Sequence, residues 1–569
     1  MLRFLVERVG LGCLLGLLVL GVSGRLSDAV AMPPYIDEAS GKPPSPKMAA
    51  AIGLYNQMRH SFAERGINQP GGGLAAGAKV TGTFNVLALC VDFPDKSGTV
   101  SATELDTLVF NNAHGSVRDF YSENSYGALI ITTINLPSTI GWQQVSQNYS
   151  YYVNGSYGLG AYPNNSQKMV EELVDLVDPL VSFANYDNDG DGFVDGLIIM
   201  HAGRGAEYSA STSDMWSHKW GIMPRIKDGK YVSSYSVQPE YWSTPGDITI
   251  GVYAHETGHL FGLPDLYDTD GSSRGLGRWS LMSGGAWNGS VGNSPAHLDA
   301  WCKAQVGFLT PTVVDSNITG ASIPDVETHA HAYRLWSDGT LGSEYFLLEN
   351  RQRTGYDAGL PSSGLLIWHI DDTQYSNANE WYPGHTASGH YWVALQQADG
   401  LWQMEKNTSY GDGGDPFPGS GAKTTFSAAT TPNSNSYSGA ATYVTVTNIS
   451  ASGPTMTCDF QVSLSAGILD DNDQGHIRYT MGLSNSPNPF NPSTIMTFTS
   501  EAGGPVTLMV YDILGRHVNT LFSGDAASGV HQLTWNGDDE SGRPVASGVY
   551  FGRLAGAKGS VVRKMVLMR

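Results

Sequence analysis

The run His255-Glu-Thr-Gly-His259-Leu-Phe-Gly262-Leu-Pro-Asp265 constrains this chain more than any other stretch. Histidines at i and i+4 share a face on an α-helix, so the spacing predicts a helix whose two imidazoles reach one metal ion. Glu256 stands one residue round from the first histidine, where it can hold a metal-bound water without entering the coordination sphere. Gly262 lets the chain leave the helix in a conformation other residues resist, turning Asp265 back as a third ligand. The fourth position is left to water, which marks a catalytic rather than a structural zinc site. The expected centre is therefore zinc on His255, His259 and Asp265, with Glu256 as the catalytic base. The apolar run Ile248-Thr-Ile-Gly-Val-Tyr-Ala254 before it suits a buried helix start.

A chain of 569 residues exceeds one hydrophobic core and is expected to hold several domains. Its 69 glycines and 28 prolines, with 15% charged residues, favour a loop-rich, β-heavy body over helical bundles. A net charge of −21 excludes nucleic acid as a partner, because nothing here could neutralise a phosphate backbone. Arg3 and Arg8, an apolar stretch over residues 9–22 and the small residues Ala29-Val-Ala31 read as a signal peptide spanning 1–31. The protein is then expected to be secreted, free outside the cell or attached to its surface. No later stretch is apolar enough to span a bilayer, so the mature chain is expected to lack a transmembrane helix. Cys90, Cys302 and Cys458, odd in number and widely scattered, form no disulfide framework and read as buried thiols.

Residues 32–78 contain a short helical pattern and end in Gly71-Gly-Gly-Leu-Ala-Ala-Gly77, which suggests a propeptide with a cleavable linker. It holds no cysteine, so latency would need Asp37, Glu38, Glu64 or His60 to block the metal. Residues 79–320 alternate between strand and helix patterns. Residues 85–93 and 196–201 read as buried strands and 129–134 as another strand. Residues 116–126 read as a helix and turn, and 167–177 as a helix. Between these lies Asp187-Asn-Asp189-Gly-Asp191-Gly192-Phe-Val-Asp195, with the alternating carboxylates that a hard cation needs. It resembles the first half of an EF-hand loop, but Ile198 stands where the bidentate glutamate belongs. A structural calcium loop of non-EF type is expected, with Asp187, Asp189, Asp191 and Asp195 as ligands. Residues 321–465 read as an all-β, sandwich-like domain, 466–480 as a polar linker, and 481–569 as a small Ig-like β-sandwich.

Several stretches together resemble the M6 metallopeptidases, the immune inhibitor A family of secreted bacterial proteases. They are Val91-Asp-Phe-Pro-Asp95, Ser116-Val-Arg-Asp-Phe-Tyr-Ser-Glu-Asn-Ser-Tyr-Gly127, the Asp187 loop, Trp216-Ser-His218 and the zinc helix. Pro295-Ala-His-Leu-Asp-Ala-Trp301, Leu348-Glu-Asn-Arg351 and Gly364-Leu-Leu-Ile-Trp-His369 complete the set. Met282, in the tight turn Gly277-Arg-Trp-Ser-Leu-Met282-Ser-Gly-Gly285, looks like the Met-turn of the metzincins, a hydrophobic base beneath the metal. The likeness implies a metzincin-like α/β zincin catalytic domain with a β domain behind it. The C-terminal segment is similar to the sorting domain of type IX secretion cargo. Pro487-Asn-Pro-Phe-Asn-Pro492, the Tyr511-Asp-Ile-Leu-Gly-Arg516 centre and Gly548-Val-Tyr-Phe551 carry that similarity. It implies secretion machinery as a partner.

These expectations describe a secreted zinc endopeptidase (a hydrolase of the EC 3.4.24 type) acting on protein or peptide substrates, with Glu256 as general base. The alternative is a surface-attached binding protein on a non-proteolytic zincin scaffold. Tyr253, Tyr267 and His218 are the candidate oxyanion donors, and the sequence does not rank them.

Overall fold

In a computed structural model of the chain, the apolar residues 87–92 form an interior strand of a five-stranded sheet. The structure describes residues 79–385, 389–463, 482–500, 504–527, 529–556 and 559–569. The expected signal peptide, propeptide and linker at 466–480 lie outside these residues. In chain order the strands of that sheet are β1 (Leu87–Asp92), β2 (Trp142–Gln144), β3 (Leu197–Arg204), β4 (His218–Lys227) and β5 (Lys230–Tyr241). They lie in the order β2-β1-β3-β5-β4. The first four run parallel and β4 turns back antiparallel along the edge. Asp228 and Gly229, both at positive φ, close that hairpin, as a two-residue turn matched to strand twist requires.

Both faces of the sheet are covered, which explains why β1 and β3 read as continuous apolar runs. Leu87 and Leu89 pack with the helix Ser166–Val177 on one side. Ala88 and Cys90 face the other side, where they join Tyr253 and Ala254 of the helix Ile250–Leu260. Every residue of that second helix is buried. It ends as the sequence requires, with Gly262 at φ 82°.

The described residues up to Val462 make one compact unit, and those from Ser463 onwards make a second. The core under the helix Ile250–Leu260 continues past residue 320 through Tyr345, Leu347, Leu366, Trp368 and Trp392. The described residues of 79–320 and 321–465 thus share a core. In the latter, the sheet containing Glu344–Arg351 and Gly364–Asp371 and the sheet Thr445–Thr447, Thr455–Gln461, Ile318–Pro324 close on Phe346, Ile367, Val446 and Phe460. The C-terminal unit has a three-stranded and a four-stranded antiparallel sheet around Met496, Leu508, Trp535 and Leu554. Cys90, Cys302 and Cys458 are buried free thiols. Among the described residues no helix is long and apolar enough to cross a membrane.

Candidate active site

His255 and His259 project from one face of the helix Ile250–Leu260 with their Nε2 atoms 3.1 Å apart. Asp265 Oδ1 lies 3.1 Å from His255 Nε2 and 3.2 Å from His259 Nε2, completing a near-equilateral triangle. All three residues are buried. His255 Nδ1 lies 2.9 Å from the Leu281 carbonyl and His259 Nδ1 2.8 Å from that of Leu263. A carbonyl only accepts, so each Nδ1 carries the proton and each Nε2 presents a lone pair to the triangle. Burial, opposed by the Asp265 carboxylate, lowers the His259 imidazole from its ordinary value and keeps it neutral. Two imidazole lone pairs and a carboxylate oxygen therefore converge with no proton to separate them, an arrangement that a cation relieves. Zinc bonds of about 2.0–2.2 Å in a tetrahedron place ligand atoms about 3.3–3.5 Å apart, so the observed triangle fits that ion after a shift of a few tenths of an ångström.

Glu256 offers a carboxylate oxygen within 4.8 Å of ligand atoms on both histidines. The turn beneath the helix holds the group from several sides. The Leu281 carbonyl orients His255, Leu281 N–H donates to the His297 carbonyl, and the Met282 carbonyl accepts from Leu266 N–H at 2.7 Å. Met282 thus lies under the helix, its sulfur close to Gly258, while its backbone anchors the segment that carries Asp265.

Residues 101–308 match the family model of the immune inhibitor A peptidase M6 catalytic domain. Residues 487–560 match that of the FlgD Ig-like domain. Pre-pro-metalloprotease PrtV of Vibrio cholerae serotype O1 is 29% identical over 279 residues, 39% of this chain and 29% of the relative. Immune inhibitor A of Bacillus thuringiensis subsp. alesti is 38% identical over 127 residues, 19% of this chain and 18% of the relative. The chain thus spans less than a third of the length of these relatives. Among solved structures, wild-type OgpA from Akkermansia muciniphila aligns over 86% of this chain and 93% of its own, at 11% identity and a TM-score of 0.25.

Within the matched residues 101–308, the three oxyanion candidates separate. Tyr253 donates its hydroxyl to the Pro239 carbonyl at 2.8 Å and is fully buried on the sheet side. His218 is locked under the sheet by the Trp216 carbonyl, Ser166 Oγ and Tyr235 OH, and burial lowers its pKa to about 4. Both are structural, because their polar atoms are committed away from the metal triangle. Of the three, Tyr267 reaches the site, donating to Asp265 Oδ2 at 2.8 Å and so orienting that carboxylate.

Sequence reasoning missed Lys219. Adjacent residues of a strand face opposite sides, so Lys219 points towards the helix Ile250–Leu260 while His218 points away. Burial pulls its ammonium below the ordinary value and the Glu256 carboxylate opposes that shift. Its signal lay in the Asp228-Gly229 turn, which announces the hairpin and hence the alternation.

The Asp187 loop brings Asp187, Asp189 and Asp195 within 4.8 Å of one another, and Asp191 stands outside that group. Asp195 is buried, and burial followed by repulsion from Asp189, Asp191 and Asp187 raises it to about 7. Its Oδ1 has no hydrogen-bond partner among the described residues. Lys230 Nζ lies 2.6 Å from Asp187 Oδ2 and neutralises part of the loop.

Three of the M6-like segments meet elsewhere, in a buried polar network. Arg351 is fully buried and forks onto Asp357 at 2.8 and 2.7 Å, with Glu349 at 3.2 Å. Burial works against the charge on Asp357, but Arg351 beside it holds that carboxyl well below the usual range. His297 bonds Glu123 at 2.8 Å, and Asn124 accepts from Leu298 N–H at 2.9 Å. Arg351 also donates to the Trp279 carbonyl at 3.3 Å, linking the network to the turn under the metal triangle. These residues are framework, not chemistry.

Proposed function

We propose that this chain is a secreted zinc-dependent endopeptidase of zincin type that hydrolyses peptide bonds in extracellular proteins. The observation that carries the reading is the buried triangle of His255 Nε2, His259 Nε2 and Asp265 Oδ1, with both Nδ1 protons held by backbone carbonyls. When bound there, zinc supplies Lewis acidity towards the scissile carbonyl and lowers the pKa of water to roughly 7. Glu256 accepts the proton of the attacking water and delivers it to the amine nitrogen as the C–N bond breaks. Tyr267 keeps Asp265 turned towards the two histidines. Met282 supports the helix from below.

Calcium held by the Asp187 loop stabilises the same unit, with Asp187, Asp189 and Asp195 as inner ligands. The C-terminal Ig-like unit acts as the sorting module for a type IX secretion system. Its Pro487 start, Tyr511-Asp centre and Gly548-Val-Tyr-Phe551 end support that role.

The test is metal content and casein hydrolysis on one purified preparation, wild type beside Glu256→Gln. The expected result is stoichiometric zinc in both and a loss of hydrolysis of about 10²–10⁴-fold in the variant. Full activity in Glu256→Gln, or zinc without any protein cleavage by the wild type, would overturn the reading.

A further inference from the structure

A second acidic constellation lies in the β-rich part of the large unit, far in sequence from both sites above. Asp399, Asp412 and Asp415 each present an oxygen within 4.8 Å of the others. Asp399 Oδ1 accepts from Leu401 N–H at 2.9 Å, and Asp412 Oδ1 from Gly414 N–H at 2.7 Å. Asp415 Oδ2 accepts from Asp412 N–H at 2.7 Å and from the Trp279 indole at 2.9 Å. Its other oxygen, Oδ1, is buried and has no hydrogen-bond partner among the described residues. A buried carboxylate oxygen left unpaired loses its solvation with nothing in return, unless a ligand fills the place. Gly414 sits between the acids, where a Cβ would overlap Asp399 Oδ2 and lie 3.1 Å from Asp412 Oδ1, so only glycine lets the carboxylates close up.

We propose that Asp399, Asp412 and Asp415 bind a calcium ion, and that this ion fixes the β-rich loop to Trp279 and so to the turn under the zinc helix. The donors are carboxylate oxygens with no histidine or cysteine among them, the ligand set of a hard cation. They come from two separate loop segments, a geometry that suits the flexible coordination of calcium better than the rigid octahedron of magnesium. Burial, then repulsion from Asp412 and Asp399, pushes Asp415 up to about 7, and burial and Asp412 likewise raise Asp399. Lys423 offsets part of this at Asp399.

The link to the site runs through Asp415 and Trp279. Asp415 holds the indole, and Gly411 lies so close to Trp279 Nε1 that a Cβ there would meet it at 2.5 Å. Trp279 begins the path Trp279-Ser-Leu-Met282, whose carbonyls hold His255 and the Asp265 segment. An ion at the acids therefore stiffens the platform beneath the metal triangle.

The experiment uses the full chain, stripped with EGTA and titrated with calcium. Bound calcium per chain, thermal midpoint and tryptophan emission are read for wild type, Asp412→Asn, Asp399→Asn and Trp279→Phe. The expected result is one calcium fewer per chain in each aspartate variant than in wild type, with a smaller calcium-induced rise in Tm. Trp279→Phe is expected to keep the calcium count and lose the calcium-induced change in emission. If Asp412→Asn fails to fold, Asp399→Asn carries the comparison at a second, partly buried position on the other loop segment. Wild-type calcium counts in both aspartate variants would overturn the site, and an undiminished emission change in Trp279→Phe would overturn the coupling.

Discussion

The sulfur of Met282 packs against Gly258, the residue just before the second histidine. A Cβ built on Gly258 would lie 2.6 Å from that sulfur and 3.2 Å from the Tyr121 hydroxyl, which itself bonds the Ala254 carbonyl at 2.7 Å. The glycine inside His255-Glu-Thr-Gly-His259 is thus a packing requirement of the turn below it. Gly258→Ala is expected to destabilise the fold by about 1–3 kcal/mol through overpacking and to weaken zinc retention. Met282→Leu, which nearly conserves volume, is expected to cost less than about 1.5 kcal/mol. Denaturant unfolding and zinc content decide both.

Tyr267 acts through Asp265. Removing its hydroxyl in Tyr267→Phe frees Asp265 Oδ2 from a 2.8 Å hydrogen bond and lets the carboxylate rotate. Losses of about 10–100-fold in metal affinity follow from removing such outer partners. Competition with a chelator should show that loss, while hydrolysis per bound zinc changes far less.

Lys219 faces Glu256 from the edge strand. Lys219→Met is expected to lower kcat/KM by roughly tenfold, about 1.4 kcal/mol of lost charge stabilisation, with zinc content unchanged. A variant as active as wild type would show that this cation takes no part in the reaction.

Arg351 balances a buried set of acids. Arg351→Met removes the guanidinium bonded to Asp357 and Glu349 and is expected to destabilise by about 3–5 kcal/mol. Arg351→Lys should recover only part, since an ammonium cannot reproduce the two-pronged bond to Asp357. Thermal unfolding of the three proteins provides the ranking.

Stability should depend on pH in a manner that calcium reverses. Asp195 and Asp415 are each raised from 3.8 to about 7, so without a cation the fold prefers them protonated. Their contribution is fully present below about pH 4 and is lost as pH rises through about 7. Calcium prefers the ionised forms, so the rise in Tm on adding calcium over EGTA should be larger at pH 8 than at pH 5. An equal rise at both would contradict the assignment of these acids to cation sites.

Much of the candidate zinc site was legible in one dimension because its rules are local. The i, i+4 spacing places His255 and His259 on one helical face, and Gly262 permits the turn that returns Asp265. The apolar runs of β1 and β3 were legible because both faces of their sheet are covered. The hairpin of β4 and β5 is hard to read as strand, because one of the two buried faces of β5 carries Ser234, Ser236, Gln238 and Glu240 where apolar residues would announce a core.

By itself the sequence determined the helix, its paired histidines, the glycine exit and the acidic loop at Asp187, all of them set by spacing within a few residues. Tertiary structure decided the rest. Strand register sent His218 into a buried hydrogen-bond network and Lys219 towards Glu256, a one-residue difference no composition reveals. Chain folding over more than a hundred residues brought Asp415 to Trp279. It also brought Tyr356 to Glu123. Such pairings depend on which loops the shared core draws together, and only the packed molecule contains that information.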